Sequence, residues 1–135
     1  MKQFFSQLIR FSLVGVIGFI IDVGVLTAAI FFLYLGPYYG RLLSYLIAAS
    51  STWFMNRHFT FPGSEKNGFH RQWGKFLMVN ALGGVINLGV YTVCISGIIF
   101  GAVTPIIAVA VGSLAGLVFN FGASRRWVFQ NRKEL

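Results

Sequence analysis

The chain has 135 residues, 56% of them hydrophobic and only 10% charged, where a soluble domain carries about 25% charged residues. That balance excludes an ordinary soluble domain. The formal charge of +8, from 11 Lys+Arg against 3 Asp+Glu, falls mostly at the ends of apolar runs, where lipid headgroups rather than nucleic acid would meet it, and the single Cys94 leaves no intrachain disulfide or Cys-based metal site.

Met1 to Gln7 sets Phe4 and Phe5 beside Lys2 and reads as an interfacial lead into a membrane. A first span is expected over residues 8–35, long enough to cross a ~30 Å hydrocarbon core with some tilt. Its length, its Asp22 and the lack of a small-residue cleavage pattern argue against a removed signal peptide. Gly36-Pro37 ends it. A second span is expected over 38–56, anchored by Tyr38 and Tyr39, with Arg41 snorkelling to the outer headgroups. Ala48 to Thr52 form a small, mildly polar ridge that asks for a neighbouring helix. Residues 59–74, containing Glu65, Lys66, His70 and Arg71 and turn signals at Pro62-Gly63-Ser64 and Asn67-Gly68, read as a cytoplasmic loop too short to be a catalytic domain. A third span is expected over 75–99, then a turn near Gly101, a fourth span over 105–124 opened by Pro105, and a cytoplasmic tail over 125–135. Gly112 and Gly116, four apart, mark a helix-packing face.

The sequence repeats itself. Arg10-Phe11, Gly18 and Asp22-Val23-Gly24-Val25 are answered by Lys75-Phe76, Gly83 and Asn87-Leu88-Gly89-Val90. The expected fold is therefore all-α and polytopic, a single membrane domain of four transmembrane helices built from two two-helix repeats. Counting basic residues puts Arg41 alone on the outer side, so both termini are expected in the cytoplasm and the repeats run parallel.

Asp22 is the sharpest functional signal, because a carboxylate near mid-depth costs at least ~3 kcal/mol unless it is protonated, paired or solvated. It serves either a substrate hydroxyl or proton, or a structural hydrogen bond to Asn87, Ser50 or Ser51. Asn87 stands at the matching place of the second copy, able to donate and accept. A second signal lies where the spans meet the cytoplasm: Asn56-Arg57-His58-Phe59-Thr60-Phe61 is matched by Ser124-Arg125-Arg126-Trp127-Val128-Phe129. With Arg10 and Lys75 at the inner ends of spans one and three, Arg10, Arg57, Lys75, Arg125 and Arg126 form an expected layer of cations suited to a lipid phosphate. Asn56, Asn80 and Asn120 lie at nearby depth and suit sugar or phosphate oxygens. The other reading of each cation is positive-inside anchoring with an aromatic belt. His58 and His70 have no companions at metal-ligand spacing, and no paired acids, nucleophile elbow or phosphate loop occurs, so neither enzyme nor cofactor is indicated.

The opening Arg10, Phe11 and Gly15, the Asp22 span, the Asn56-Arg57-x-Phe-x-Phe ending, the Lys75-Phe76 restart and the Arg125 to Phe129 ending resemble the GtrA-like family of small four-span membrane proteins. Ser124 departs from the pattern where span two has Asn56. The resemblance implies a multi-pass protein of the inner (cytoplasmic) membrane in cell-surface polysaccharide synthesis, such as O-antigen, teichoic-acid or arabinogalactan work. It implies flippase-like movement of a polyprenyl-phosphate-linked monosaccharide from the cytoplasmic to the outer leaflet. The phosphate would meet the basic layer and the sugar would meet Asp22 and the asparagines. The alternative is a non-transporting partner of a polyprenyl-phosphate glycosyltransferase; a small-molecule exporter is a third reading, opposed by the charge bias. Four spans leave little room for a sugar, which favours a homodimer among membrane lipids.

Overall fold

The computed structural model describes residues 1–64, 68–97 and 105–130. Glu65, Lys66 and Asn67 of the expected loop, the turn near Gly101 with the end of the third span, and residues 131–135 of the tail lie outside the described residues.

Among the described residues four α-helices organise the chain: α1 (Lys2–Phe31), α2 (Pro37–Met55), α3 (Phe69–Ser96) and α4 (Pro105–Ala123). The described residues make an all-helical protein of polytopic membrane type. Three helices among them are long and apolar enough to cross a membrane, over Lys2–Phe31, Phe69–Ser96 and Ile107–Val128. α2 falls short of that composition because Arg41, Ser44, Ser50, Ser51 and Thr52 interrupt its 19 residues. Large side chains such as Phe19, Ile20, Val85 and Val118 stand exposed on the helices, an apolar surface that only a hydrocarbon solvent makes inexpensive.

Helix ends follow local chemistry. α1 closes in a turn whose Tyr34 adopts φ 53, a left-handed conformation that costs an ordinary side chain free energy. Gly36 is extended and Pro37 takes the first helical position, where its missing N–H is no loss. α3 starts at Phe69, so the stretch expected as a loop up to residue 74 is helical from there. α3 gives way at Gly97, with φ 70, the usual glycine stop.

α2 and α4 each run on into a π-helical turn, over Asn56–Thr60 and Ser124–Val128 respectively. In the first, the Phe61 N–H reaches back five residues to the Asn56 carbonyl at 2.9 Å, and the Thr60 hydroxyl donates to Asn56 Oδ1 at 2.8 Å. Pro62 disfavours helical backbone at Phe61, so the helix ends there.

The chain divides into two compact units, one of residues 1–73 with 129–135 and one of residues 74–128. In the first, α1 and α2 form a hairpin. Thr52 sits against Gly18, where a side chain would collide with its methyl group, and Gly40 packs on Leu26, Ala29 and Ile30. In the second unit, α3 and α4 pack through exchanged small and amide residues. Asn120 sits on Gly83 and Asn87 sits on Gly112, with the Gly83 carbonyl 3.1 Å from where a Gly116 Cβ would stand. The Gly112/Gly116 spacing thus marks the face of α4 that meets α3.

Candidate functional site

The first unit brings its candidate residues together at two levels. At the end where α2 turns into its π segment, Arg57 is buried at 8% exposure. Its guanidinium donates to Gln72 Oε1 at 2.5 Å, and the Gln72 amide donates to the Ser64 carbonyl at 3.1 Å. The Arg57 cation lies 5.4 Å from the Trp53 ring centroid and 5.8 Å from that of Phe69, within cation–π range. Arg57 is therefore turned into protein, tying the π turn to the start of α3. Asn56, also buried, is held by Thr60. Arg10 stays exposed and donates to the Phe59 carbonyl at 3.0 Å.

The second level lies deeper in α1. Arg41 donates to Asp22 Oδ2 as an ion pair. The side chains differ in exposure, 56% for Arg41 and 17% for Asp22. Asp22 Oδ1 is buried and has no hydrogen-bond partner among the described residues. The sequence had offered Ser50, Ser51 and Asn87 as partners for Asp22, and headgroups for Arg41. Instead the Ser51 hydroxyl bonds the Ile47 carbonyl of its own helix, Ser50 accepts the Trp73 indole N–H at 3.0 Å, and within its own unit Asn87 packs on Gly112 of α4. Opposite charge wins over a neutral donor here because, where water is scarce, an unneutralised carboxylate is the costlier group to leave behind.

In the second unit, Lys75 donates to the Trp127 carbonyl at 3.3 Å and lies 4.9 Å from that ring's centroid. Arg125 and Arg126 are exposed on the π turn that follows α4. Asn80 spends its amide on the Phe76 carbonyl of its own helix. Asn120 Oδ1 and the Ser124 hydroxyl are buried without a hydrogen-bond partner among the described residues.

Two contributors escaped the sequence reading. Gln72 falls in the stretch expected as a loop, yet Gln72, Phe76, Val79 and Gly83 share one buried stripe of α3. Extending that 4-3-4 spacing back one turn would have found it. Arg41 is expected at the headgroups, and one signal points elsewhere: it is the basic residue closest in the hairpin to a carboxylate in want of a partner.

No group of three or more metal-ligating side chains occurs among the described residues. No curated protein matches the chain. The family model described as GtrA/DPMS, transmembrane domain, matches residues 10–129. That match takes in every candidate residue named above, and the chain belongs to the GtrA/DPMS transmembrane-domain family.

Proposed function

We propose that the protein moves a polyprenyl-phosphate-linked monosaccharide from the cytoplasmic to the outer leaflet of the cell's cytoplasmic membrane, supplying cell-surface polysaccharide synthesis. Family membership over residues 10–129 carries this reading and is consistent with the handling of polyprenyl-phosphate-linked glycans. Exposed Arg10, Arg125 and Arg126, with Lys75, would take the phosphate on the cytoplasmic side. Arg57, spent on Gln72 and two rings, would hold the frame that aims them. Asp22 and the asparagines Asn56, Asn80, Asn87 and Asn120 would offer polar stations to the sugar.

A parallel two-fold repeat of four spans, with both termini cytoplasmic, belongs to the same reading. Two matched bonds support it: the cation opening each copy, Arg10 or Lys75, donates to the carbonyl of the aromatic residue in the following π turn, Phe59 or Trp127. The charge bias of the sequence supports the orientation. A second copy of the chain would widen the path.

The test is reconstitution into liposomes with a short-chain glucosyl phosphopolyprenol, read by an impermeant probe of leaflet exposure. Exchange should be fast with the protein and should fall about tenfold in Arg125→Gln/Arg126→Gln. Exchange no faster than in protein-free liposomes would overturn transport. Sugar transfer lost only when a glycosyltransferase is co-reconstituted would then favour the partner reading.

A further inference from the structure

Arg41 lies in the wrong place for a cation that only anchors a helix. It is four residues into α2, and helical side chains lean toward their own N-terminus, here toward the α1–α2 turn. Snorkelling would carry the guanidinium that way, to headgroups and water. Gly40 packs level with Leu26, Ala29 and Ile30, so Arg41 leaves the backbone there and runs the opposite way to reach Asp22. Asp22 itself stands nine residues before the end of α1, about 13 Å down the helix. The arginine is drawn inward and held.

The pair leaves complementary capacity unused. Among the described residues Arg41 makes one hydrogen bond, through Nη1 to Asp22, out of the five N–H donors of a guanidinium. Its side chain is 56% exposed, which leaves it open to an approaching group. Asp22 Oδ1 is an acceptor with nothing to accept. Val23 and Leu42, next to the two residues in sequence, and Phe19, three residues before Asp22, are exposed and apolar. A ligand matching all three needs an anion for the guanidinium, a hydroxyl for the carboxylate and a hydrocarbon tail for the surround. Asp22 also discriminates, since it repels a second negative charge.

We propose that Arg41 and Asp22 form a binding site for the headgroup of a monoanionic amphiphile: a phosphodiester on Arg41 and a hydroxyl of its polar substituent on Asp22. The identification of that amphiphile as a lipid-linked sugar rests on the transport reading above; the site itself rests on the pair's geometry.

Binding is measured with the full chain in phosphatidylcholine nanodiscs, titrated with short-chain glucosyl phosphopolyprenol against phosphatidylglycerol and glucose 1-phosphate as competitors. Arg41→Lys retains an ion pair with Asp22 but loses the planar fork. It should keep its melting temperature within a few degrees and bind the glucosyl lipid about tenfold more weakly. The charge swap Asp22→Arg/Arg41→Asp should likewise fold and bind poorly. Asp22→Asn should weaken the glucosyl lipid severalfold while leaving sugar-free polyprenyl phosphate unweakened. Wild-type affinity in both Arg41→Lys and the swap would overturn the site and reduce the pair to a structural tie. Equal competition by glucose 1-phosphate would remove the need for a tail and overturn the proposal, whereas equal competition by phosphatidylglycerol, which carries the same phosphodiester and hydroxyls, would keep the site and overturn its identification with a lipid-linked sugar. Binding lost in Arg41→Lys without any leaflet exchange in wild type would overturn transport and keep the site. Exchange and binding both untouched by Arg41→Lys would do the reverse.

Discussion

Arg57 illustrates how a residue chosen for one property is used for another. As a cation at a helix end it invites a phosphate, yet the fold buries it between Trp53 and Phe69 and bonds it to Gln72. A hydrogen bond to a charged group contributes about 1.5–3 kcal/mol, and a partly desolvated cation–π contact adds about 1 kcal/mol. Arg57→Lys keeps the charge but not the flat fork, and should destabilise the protein by about 1–3 kcal/mol, read as a lower melting temperature in detergent. Arg57→Ala should cost more, because it leaves the buried Gln72 carbonyl oxygen without that donor. Gln72→Leu is the informative companion: a drop comparable to that of Arg57→Lys fits a structural tie, whereas an unchanged melting temperature would return Arg57 to the ligand side of the account.

Between helices, the sign of a glycine substitution depends on what faces it. A Cβ on Gly112 would stand 2.6 Å from the backbone carbonyl oxygen of Asn87, whereas one on Gly84 would meet nothing within 4 Å. Alanine relieves the backbone entropy cost of a helical glycine, by about 1 kcal/mol at most, so Gly84→Ala should be neutral or slightly stabilising. Gly112→Ala must push α4 off α3 and should lose about 1–3 kcal/mol; thermal melts of the two variants side by side settle the comparison. Gly97→Ala, at φ 70, should lose about 1 kcal/mol for a different reason, a side chain in the left-handed region at the helix stop. These contrasts also show what was legible beforehand. Gly36-Pro37 and the Gly112/Gly116 spacing carry their meaning locally, so helix ends and a packing face could be read from them. Gln72 is harder to read, because its neighbours Glu65, His70 and Arg71 make a polar stretch look like a loop until the apolar spacing of α3 is carried back one turn through it. The Asp22–Arg41 pair is harder still: charge sign makes Arg41 a candidate, but residue types alone do not say that a hairpin will slide those two side chains into reach.

At the scale of the whole chain, the open question with the largest consequence is how many times it crosses the bilayer. Three helices satisfy length and apolarity outright; α2 does not, and an odd number of crossings would put the termini on opposite sides. Physical reasoning favours a crossing by α2. Its polar residues are largely spoken for within the protein: Ser44 bonds the Arg41 carbonyl, Thr52 the Ala49 carbonyl, Ser51 the Ile47 carbonyl, and Arg41 is neutralised by Asp22. A helix whose hydroxyls and charge are satisfied internally meets lipid as a much more apolar object than its composition suggests. The hairpin with α1 then carries it across, as its packing from Gly40 at one end to Thr52 at the other requires. The prediction is concrete. In a Cys94→Ser background, Tyr34→Cys, exposed in the α1–α2 turn, should react with a membrane-impermeant maleimide added to intact cells. Gln130→Cys, exposed beyond the second π turn, should react only after the membrane is opened. Arg71→Cys, exposed near the start of α3, is the decisive third position: it should behave like Gln130→Cys if α2 crosses. Labelling of Arg71→Cys from outside together with Tyr34→Cys would mean that α2 turns back at the surface, and the parallel repeat would fall with it.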